Sequence, residues 1–167
     1  MAWTNYEKLL LTGDKTGTII YSNKKLSMKN RFSAHNDSRI NDISFSPSSL
    51  KFVSCSDDRT AKIFDLATNK EEMSFEGHQS DIKSCHWHPE KALIATGSKD
   101  NCVKLWDPKS GHEVAAFQSH NNIINRVRWN PVNGNWFLTG SKDFSLKIHD
   151  VRKMAAFYTY NGHEDQI

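Results

Sequence analysis

Residues able to do chemistry recur along this chain. A histidine, a hydroxyl residue and an aspartate, the set that forms hydrolytic triads, stand at His78, Thr96 or Ser98, and Asp100. In such a triad the hydroxyl attacks, the imidazole takes its proton and the carboxylate orients the ring. The same set returns at His35, Ser54 and Asp58, and again at His120, Thr139 and Asp143, with near-identical spacing. Catalysis needs one constellation, so three of them indicate architecture and no catalytic residue is expected. His86 and His88 alternate along one strand and could supply two metal ligands, but a zinc site needs about three or four. The nearest other ligand types are not at ligand spacing, and the counterparts Ser44/Ser46 and Arg128/Asn130 read as variable outer positions of the same strand. Gly13-Asp14-Lys15-Thr16-Gly17 lacks the spacing of a phosphate loop and reads as a hairpin turn. Neither a metal nor another cofactor is expected.

The elements that position these residues must repeat with them. His35, His78, His120 and His163 lie 43, 42 and 43 residues apart. A second marker keeps step, with Phe64-Asp65, Trp106-Asp107 and His149-Asp150 separated by 42 and 43 residues. Between the markers stand four short apolar alternations. The first is Ile43 to Ser46, Cys85 to His88 and Val127 to Asn130, each ended by a proline that cannot donate to a strand ladder. Then come Phe52 to Ser56, Ile94 to Ser98 and Phe137 to Ser141; after a tight aspartate turn, Ala61 to Phe64, Val103 to Trp106 and Leu146 to His149. The last is Glu72 to Phe75, Val114 to Phe117 and Ala156 to Thr159. Four strands per period predict an all-β chain of four-stranded antiparallel meanders in tandem, the blades of a β-propeller.

The units fall at about 1–33, 34–76, 77–118 and 119–161, with 162–167 opening another. Met1-Ala2-Trp3 aligns with the end of a first strand, so three blades are complete and one is most of a blade. A propeller must close to cover its edges, and about four blades barely suffice, which predicts part of a larger ring.

Composition agrees with a globular sheet protein: 37% hydrophobic and 25% charged residues, with eight glycines and four prolines. The longest apolar runs, Leu9 to Leu11 and Met154 to Tyr158, fall far short of the roughly 20 residues that a membrane-spanning helix needs, so no membrane partner is expected. No signal-peptide pattern opens the chain, and an intracellular setting is the default. Cys55, Cys85 and Cys102 are an odd number at wide spacing, suited to small buried hydrophobes rather than to a disulfide framework. The formal charge of +3 is uneven, with six of the basic residues against two acidic ones in residues 1–33. That excess is spread too thinly for a basic run and reads as a solvated edge.

Gly77-His78 with Trp106-Asp107 carries the signature of the WD-repeat family most completely, and the whole chain resembles that family. Ala34-His35 and Ser119-His120 lack the glycine, and Phe64 and His149 stand in place of the tryptophan. The resemblance implies a buried hydrogen-bond network in each blade, running from aspartate to histidine to hydroxyl to indole. His78, Thr96, Asp100 and Trp106 would form the complete set; His35, Ser54 and Asp58 would end on a phenyl ring, and His120, Thr139 and Asp143 on His149. It also implies that partners are contacted from the face with the histidine loops and turn aspartates, where Arg39, Asp57, Lys99 and Lys142 are placed.

The order and spacing of Phe52 to Asp58, Trp87-His88-Pro89, Gly97 to Asp100, Lys104 to Gly111 and Asn133 to Trp136 are similar to the WD-repeat subunits of the pre-mRNA cleavage and polyadenylation factor. This likeness implies a seven-bladed, non-catalytic nuclear scaffold that works beside a large propeller subunit and a zinc-finger subunit. RNA would then be met through the complex, not by this chain alone. A WD-repeat adaptor of another assembly, such as a ubiquitin ligase or a chromatin complex, would have the same fold.

Overall fold

A computed structural model describes residues 1–4, 9–23, 25, 27–165 and 167. Their regular structure is β throughout, in four antiparallel sheets of four strands each, every sheet made from consecutive strands. The first holds β1 (Ala2–Trp3), β2 (Leu9–Gly13), β3 (Thr18–Asn23) and β4 (Met28–Ser33). The second holds β5 (Ile40–Phe45), β6 (Lys51–Ser56), β7 (Ala61–Asp65) and β8 (Glu71–Phe75). In the third are β9 (Ile82–Trp87), β10 (Ile94–Ser98), β11 (Val103–Trp106) and β12 (Glu113–Phe117), and in the fourth β13 (Ile124–Trp129), β14 (Trp136–Ser141), β15 (Leu146–Asp150) and β16 (Ala155–Tyr160). The first strands β5, β9 and β13 pack on one another across neighbouring sheets. These are propeller blades set side by side in chain order, with the first strand of each blade innermost.

The innermost strands begin three residues before the apolar alternation visible in the sequence. Ile40, Ile82 and Ile124 are already in ladder, and at Ile40/Asp42, Gly97/Ser98 and Ile124/Arg126 the register shifts. Polar residues stand at these starts (Asn41, Lys83, Asn125) because they sit at the mouth of the inner edge, where water is near. Turn chemistry is as local as the spacing suggests. In the β6–β7, β10–β11 and β14–β15 turns the carboxylates of Asp58, Asp100 and Asp143 accept the backbone N–H two residues on. The residue between adopts a left-handed conformation at Arg59, Asn101 and Phe144, with φ of 70°, 68° and 65°. Asparagine tolerates that region and a bulky aromatic does not, so Phe144 is strained.

The core lies between sheets, not within them. Leu11, Ile19 and Tyr21 pack on Ile40, Ile43 and Phe52; Val53, Ile63 and Phe75 on Ile82, Trp87 and Trp106; Leu105 and Phe117 on Ile124, Trp129 and Phe137. The approach is close enough at Gly97 that an added Cβ would lie 2.7 Å from Ile124 Cγ2, which is why a glycine occupies that strand position. Cys55 and Cys85 are buried in the second interface, whereas Cys102 is half-buried in the β10–β11 turn. Burial and the neighbouring Cys55 push the Cys85 thiol well above its ordinary pKa. On the outer face of the fourth sheet, Leu138 is 41% exposed where its counterparts Val53 and Ala95 are fully buried.

Candidate interaction site

Each of the three later blades brings its histidine, hydroxyl and aspartate together. In the third blade His78 Nδ1 lies 2.8 Å from Asp100 Oδ2, His78 Nε2 lies 2.8 Å from Thr96 Oγ1, and Trp106 Nε1 donates to Thr96 Oγ1 at 2.8 Å. An ionised carboxylate only accepts, so His78 donates to Asp100 from Nδ1, and Thr96 Oγ1 receives the indole N–H; the one Thr96 proton has two acceptors in reach, His78 Nε2 where that nitrogen is bare and the Lys104 carbonyl at 3.3 Å. Burial opposes ionisation of Asp100, but His78 and the backbone N–H groups of Gln79 and Cys102 hold its pKa down to about 2. In the second blade His35 spans Asp58 at 2.7 Å and Ser54 at 2.8 Å, and the aromatic partner Phe64 donates nothing. Burial against His35 and Thr60 again leaves Asp58 at about 2. The fourth blade joins His120 to Asp143 at 2.8 Å and to Thr139 at 2.6 Å, and Thr139 Oγ1 lies 2.9 Å from His149 Nε2.

The last member of each circuit sets its packing partner. Trp106 pairs across the strands with Ile94, whereas Phe64 pairs with Phe52 and His149 with Phe137. The smaller rings stack on phenylalanine, at 18° and 5.4 Å for Phe52–Phe64 and at 5° and 4.6 Å for Phe137–His149. His149 is fully buried with no hydrogen-bond partner for Nδ1. Burial, with the neighbouring charges of His120 and Lys147, lowers its pKa to about 3, so the ring is neutral at physiological pH.

A second set of polar contacts runs between blades and was not anticipated from sequence. Ser44 Oγ accepts the N–H of Trp87, and His86 Nδ1 accepts the N–H of Trp129, each at 2.9 Å. Asp42 and Ser84 accept from Cys85 and Val127 in the same manner, at 3.3 and 3.2 Å. β5 is therefore stapled to β9, and β9 to β13, by side chains reaching the next strand's backbone. Asp42 Oδ2 also accepts from the Ser84 hydroxyl at 2.8 Å and from Arg128 Nη1 at 2.9 Å, so one buried carboxylate ties three blades. The signal was present in the sequence as polar residues alternating in step along three strands.

These contacts correct the reading of His86, His88, Ser44 and Arg128 as variable outer positions. Their strands are innermost, and the histidines make different bonds. His88 is fully buried; its Nε2 donates to the Gly134 carbonyl at 2.7 Å and its Nδ1 accepts the N–H groups of Glu90 and Lys91. Burial and the Arg128 charge lower the His86 pKa to about 4.

Of the residues expected on the partner-facing loops, Arg39 and Lys99 are exposed and Asp57 and Lys142 half-buried. Asp57, Lys99 and Lys142 occupy matching places, their N–H groups donating to the carbonyls of Arg39, Asp81 and Ile123 in turn. Asp57 Oδ1 accepts from Asn41 Nδ2 at 2.7 Å and from Lys83 Nζ at 2.6 Å, joining two blades at the mouth of the inner edge. Arg39, Asn41, Lys83, Asn125, Arg126 and Ile167 line a cavity of about 480 Å³ there.

Sheets of this pairing, with innermost strands stapled together and an aspartate–histidine–hydroxyl circuit that in the third blade runs on to tryptophan, are WD-repeat blades. The family model for the WD domain, G-beta repeat, matches residues 26–65, 69–107 and 111–150, more than half of the chain, and the chain belongs to that family. Among curated proteins it is 40% identical over 72 residues to polyadenylation factor subunit 2 of Candida albicans, covering 43% of this chain and 13% of that protein. To the protein of the same name in Neurospora crassa it is 36% identical over 111 residues, 66% of this chain and 10% of the other. It is also 32% identical over 89 residues to U3 small nucleolar RNA-associated protein 15 of Schizosaccharomyces pombe, 52% of this chain and 18% of that one. The chain thus spans less than a fifth of each relative's length.

Each family segment begins before the innermost strand, taking the outermost strand of one blade and three strands of the next. The sequence repeat and the structural blade are out of phase by one strand.

Proposed function

We propose that the chain is part of a non-catalytic scaffold in nuclear pre-mRNA 3′-end cleavage and polyadenylation. The observation that carries this reading is the likeness to polyadenylation factor subunit 2 of Neurospora crassa, which runs over 66% of the chain. The polar circuits support a structural role for His35, Ser54, Asp58, His78, Thr96, Asp100, Trp106, His120, Thr139 and Asp143. Their hydroxyls are buried and each is held by a histidine. Function then lies in the surfaces that the blades present, and Arg39, Asp57, Lys99 and Lys142 are the proposed contacts to protein partners. In this reading the partners include a large propeller subunit and a zinc-finger subunit, and poly(A)-signal RNA is held by the assembly. The test is tagged purification from the protein's own cells with mass spectrometry of what co-elutes. Recovery of the cleavage endonuclease with those two subunits is the expected result.

A second reading is favoured by the likeness to the U3 small nucleolar RNA-associated protein, namely an adaptor in another RNA-protein assembly. Recovery of a different stable set in the same purification would move the function there. The chain alone is expected to bind RNA weakly, and a sequence-selective, sub-micromolar affinity in an anisotropy titration would contradict that.

A further inference from the structure

The cavity at the mouth of the inner edge is lined almost entirely by hydrogen-bond donors. Arg39, Lys83 and Arg126 bring three cationic groups to it, Asn41 and Asn125 bring amides, and Ile167 brings its side chain and an acceptor oxygen. The asparagines are engaged, Asn41 Nδ2 donating to the Ile82 carbonyl at 2.7 Å and Asn125 Nδ2 to that of Ile167. Lys83 is held between Asp57 and Asp81, at 2.6 and 3.0 Å, so its charge is matched. Arg39 and Arg126 are exposed and have no salt bridge among the described residues. Arg39 acts on the Asp57 carboxylate only through its field, helping to lower that pKa, so two guanidinium groups without a direct ion pair face this concave site, on the face where protein contacts are proposed.

We propose that this mouth receives the carboxylate side chains of an acidic peptide segment from a protein partner, with Arg39 and Arg126 as the recognising groups. Two observations favour a peptide over a nucleic acid. No aromatic side chain among the described residues lines the cavity, so an unstacked base would find no ring to lie on. Lys83 at this mouth already pairs with two carboxylates, those of Asp57 and Asp81, so carboxylates are the anions that this surface meets within the chain. Guanidinium forks match such groups in two-point contacts. The inference deepens the scaffold reading by giving its protein partner a chemistry.

The experiment is a fluorescence anisotropy titration of the purified protein against labelled hexaglutamate at low ionic strength, with labelled hexauridylate as the competing class. Hexaglutamate is expected to bind, and Arg39→Gln with Arg126→Gln to weaken it about tenfold. Lys29→Gln with Arg31→Gln removes two exposed charges from β4, and this pair is expected to stay within about twofold of the unaltered protein, since distant exposed charges are screened. Circular dichroism checks each variant; if the Arg39/Arg126 pair loses its β-sheet signal, Arg126→Gln alone carries the comparison. Equal weakening by both pairs, no binding of hexaglutamate, or displacement of hexaglutamate by tighter-binding hexauridylate would overturn the proposal. Because the titration is independent of copurification, a negative result here leaves the 3′-end processing reading where that experiment puts it.

Discussion

In the third blade Thr96 receives its hydrogen bond from the indole of Trp106; in the fourth, the imidazole Nε2 of His149 takes the indole's place, 2.9 Å from Thr139 Oγ1. An indole N–H is a donor at every accessible pH. A neutral imidazole donates there only as the tautomer with the proton on Nε2, and that choice leaves a bare nitrogen buried. The second blade goes further and has no donor at all, since Phe64 stacks on Phe52. Three versions of one circuit show that the histidine–aspartate half is required by the turn it ties down. The terminal donor is exchangeable provided that ring volume is restored across the strands.

The largest expected effect tests that last clause. Trp106→Ala empties a fully packed site and should cost about 3 to 5 kcal/mol in denaturant unfolding. Trp106→Phe and Ile94→Phe should each cost about 1 to 3 kcal/mol, one by losing a donor and the other by overpacking. Together they rebuild the stacked pair of the second blade, and the double variant should lose about 1 kcal/mol less than the sum of the singles. Strict additivity would show that the pairing of ring sizes is incidental.

Next come His35→Ala, His78→Ala and His120→Ala. Each leaves a buried hydroxyl and a carboxylate without their partner, and each should cost about 2 to 4 kcal/mol, to a similar extent. A histidine whose removal abolishes some activity while the fold is unchanged would instead single out one circuit as chemical. Native-state amide exchange sharpens the ranking, with the slowest exchange expected in the third blade, where the circuit is complete.

The difference between Trp106 and His149 should also appear as pH dependence. His149 titrates at about 3 when folded and about 6.5 when unfolded, so between those values the unfolded chain binds the extra proton and stability falls as pH falls. About 2 kcal/mol should be lost between pH 7 and pH 5 in excess of what His149→Phe loses. That variant keeps the stack on Phe137 and removes the titrating ring, so matching pH profiles would show that the imidazole is not the cause. Asp58 and Asp100, held at about 2, contribute stability present above roughly pH 4 and lost only as the pH drops through their folded values.

The smallest effect concerns the turns. Phe144 adopts the left-handed conformation that Asn101 adopts in the third blade, and Phe144→Asn should raise stability by about 0.5 to 1 kcal/mol.

The circuit positions were legible in the sequence because each residue's job is local to one blade and the period of about 42 exposes it. His78, Thr96, Asp100 and Trp106 could be placed on their strands and turn before any coordinates. The staples from Asp42, Ser44, Ser84 and His86 were not. A polar residue alternating on a strand reads as solvent-facing, and nothing in a single repeat reveals that its partner is a backbone N–H some 43 residues later. Arg128 was opaque for the same reason, its carboxylate partner lying 86 residues upstream.

The staples also impose a schedule on synthesis. Ser44 waits for the N–H of Trp87, and His86 for that of Trp129. At ribosomal speeds of about 5 to 20 residues per second, each blade stays unfastened on its forward side for about 2 to 9 seconds after its innermost strand emerges. Over that interval the polar row on the strand has water for a partner and the apolar row has none. A nascent chain of this kind is most exposed to mispairing at its newest blade, and it gains protection in steps, one repeat at a time.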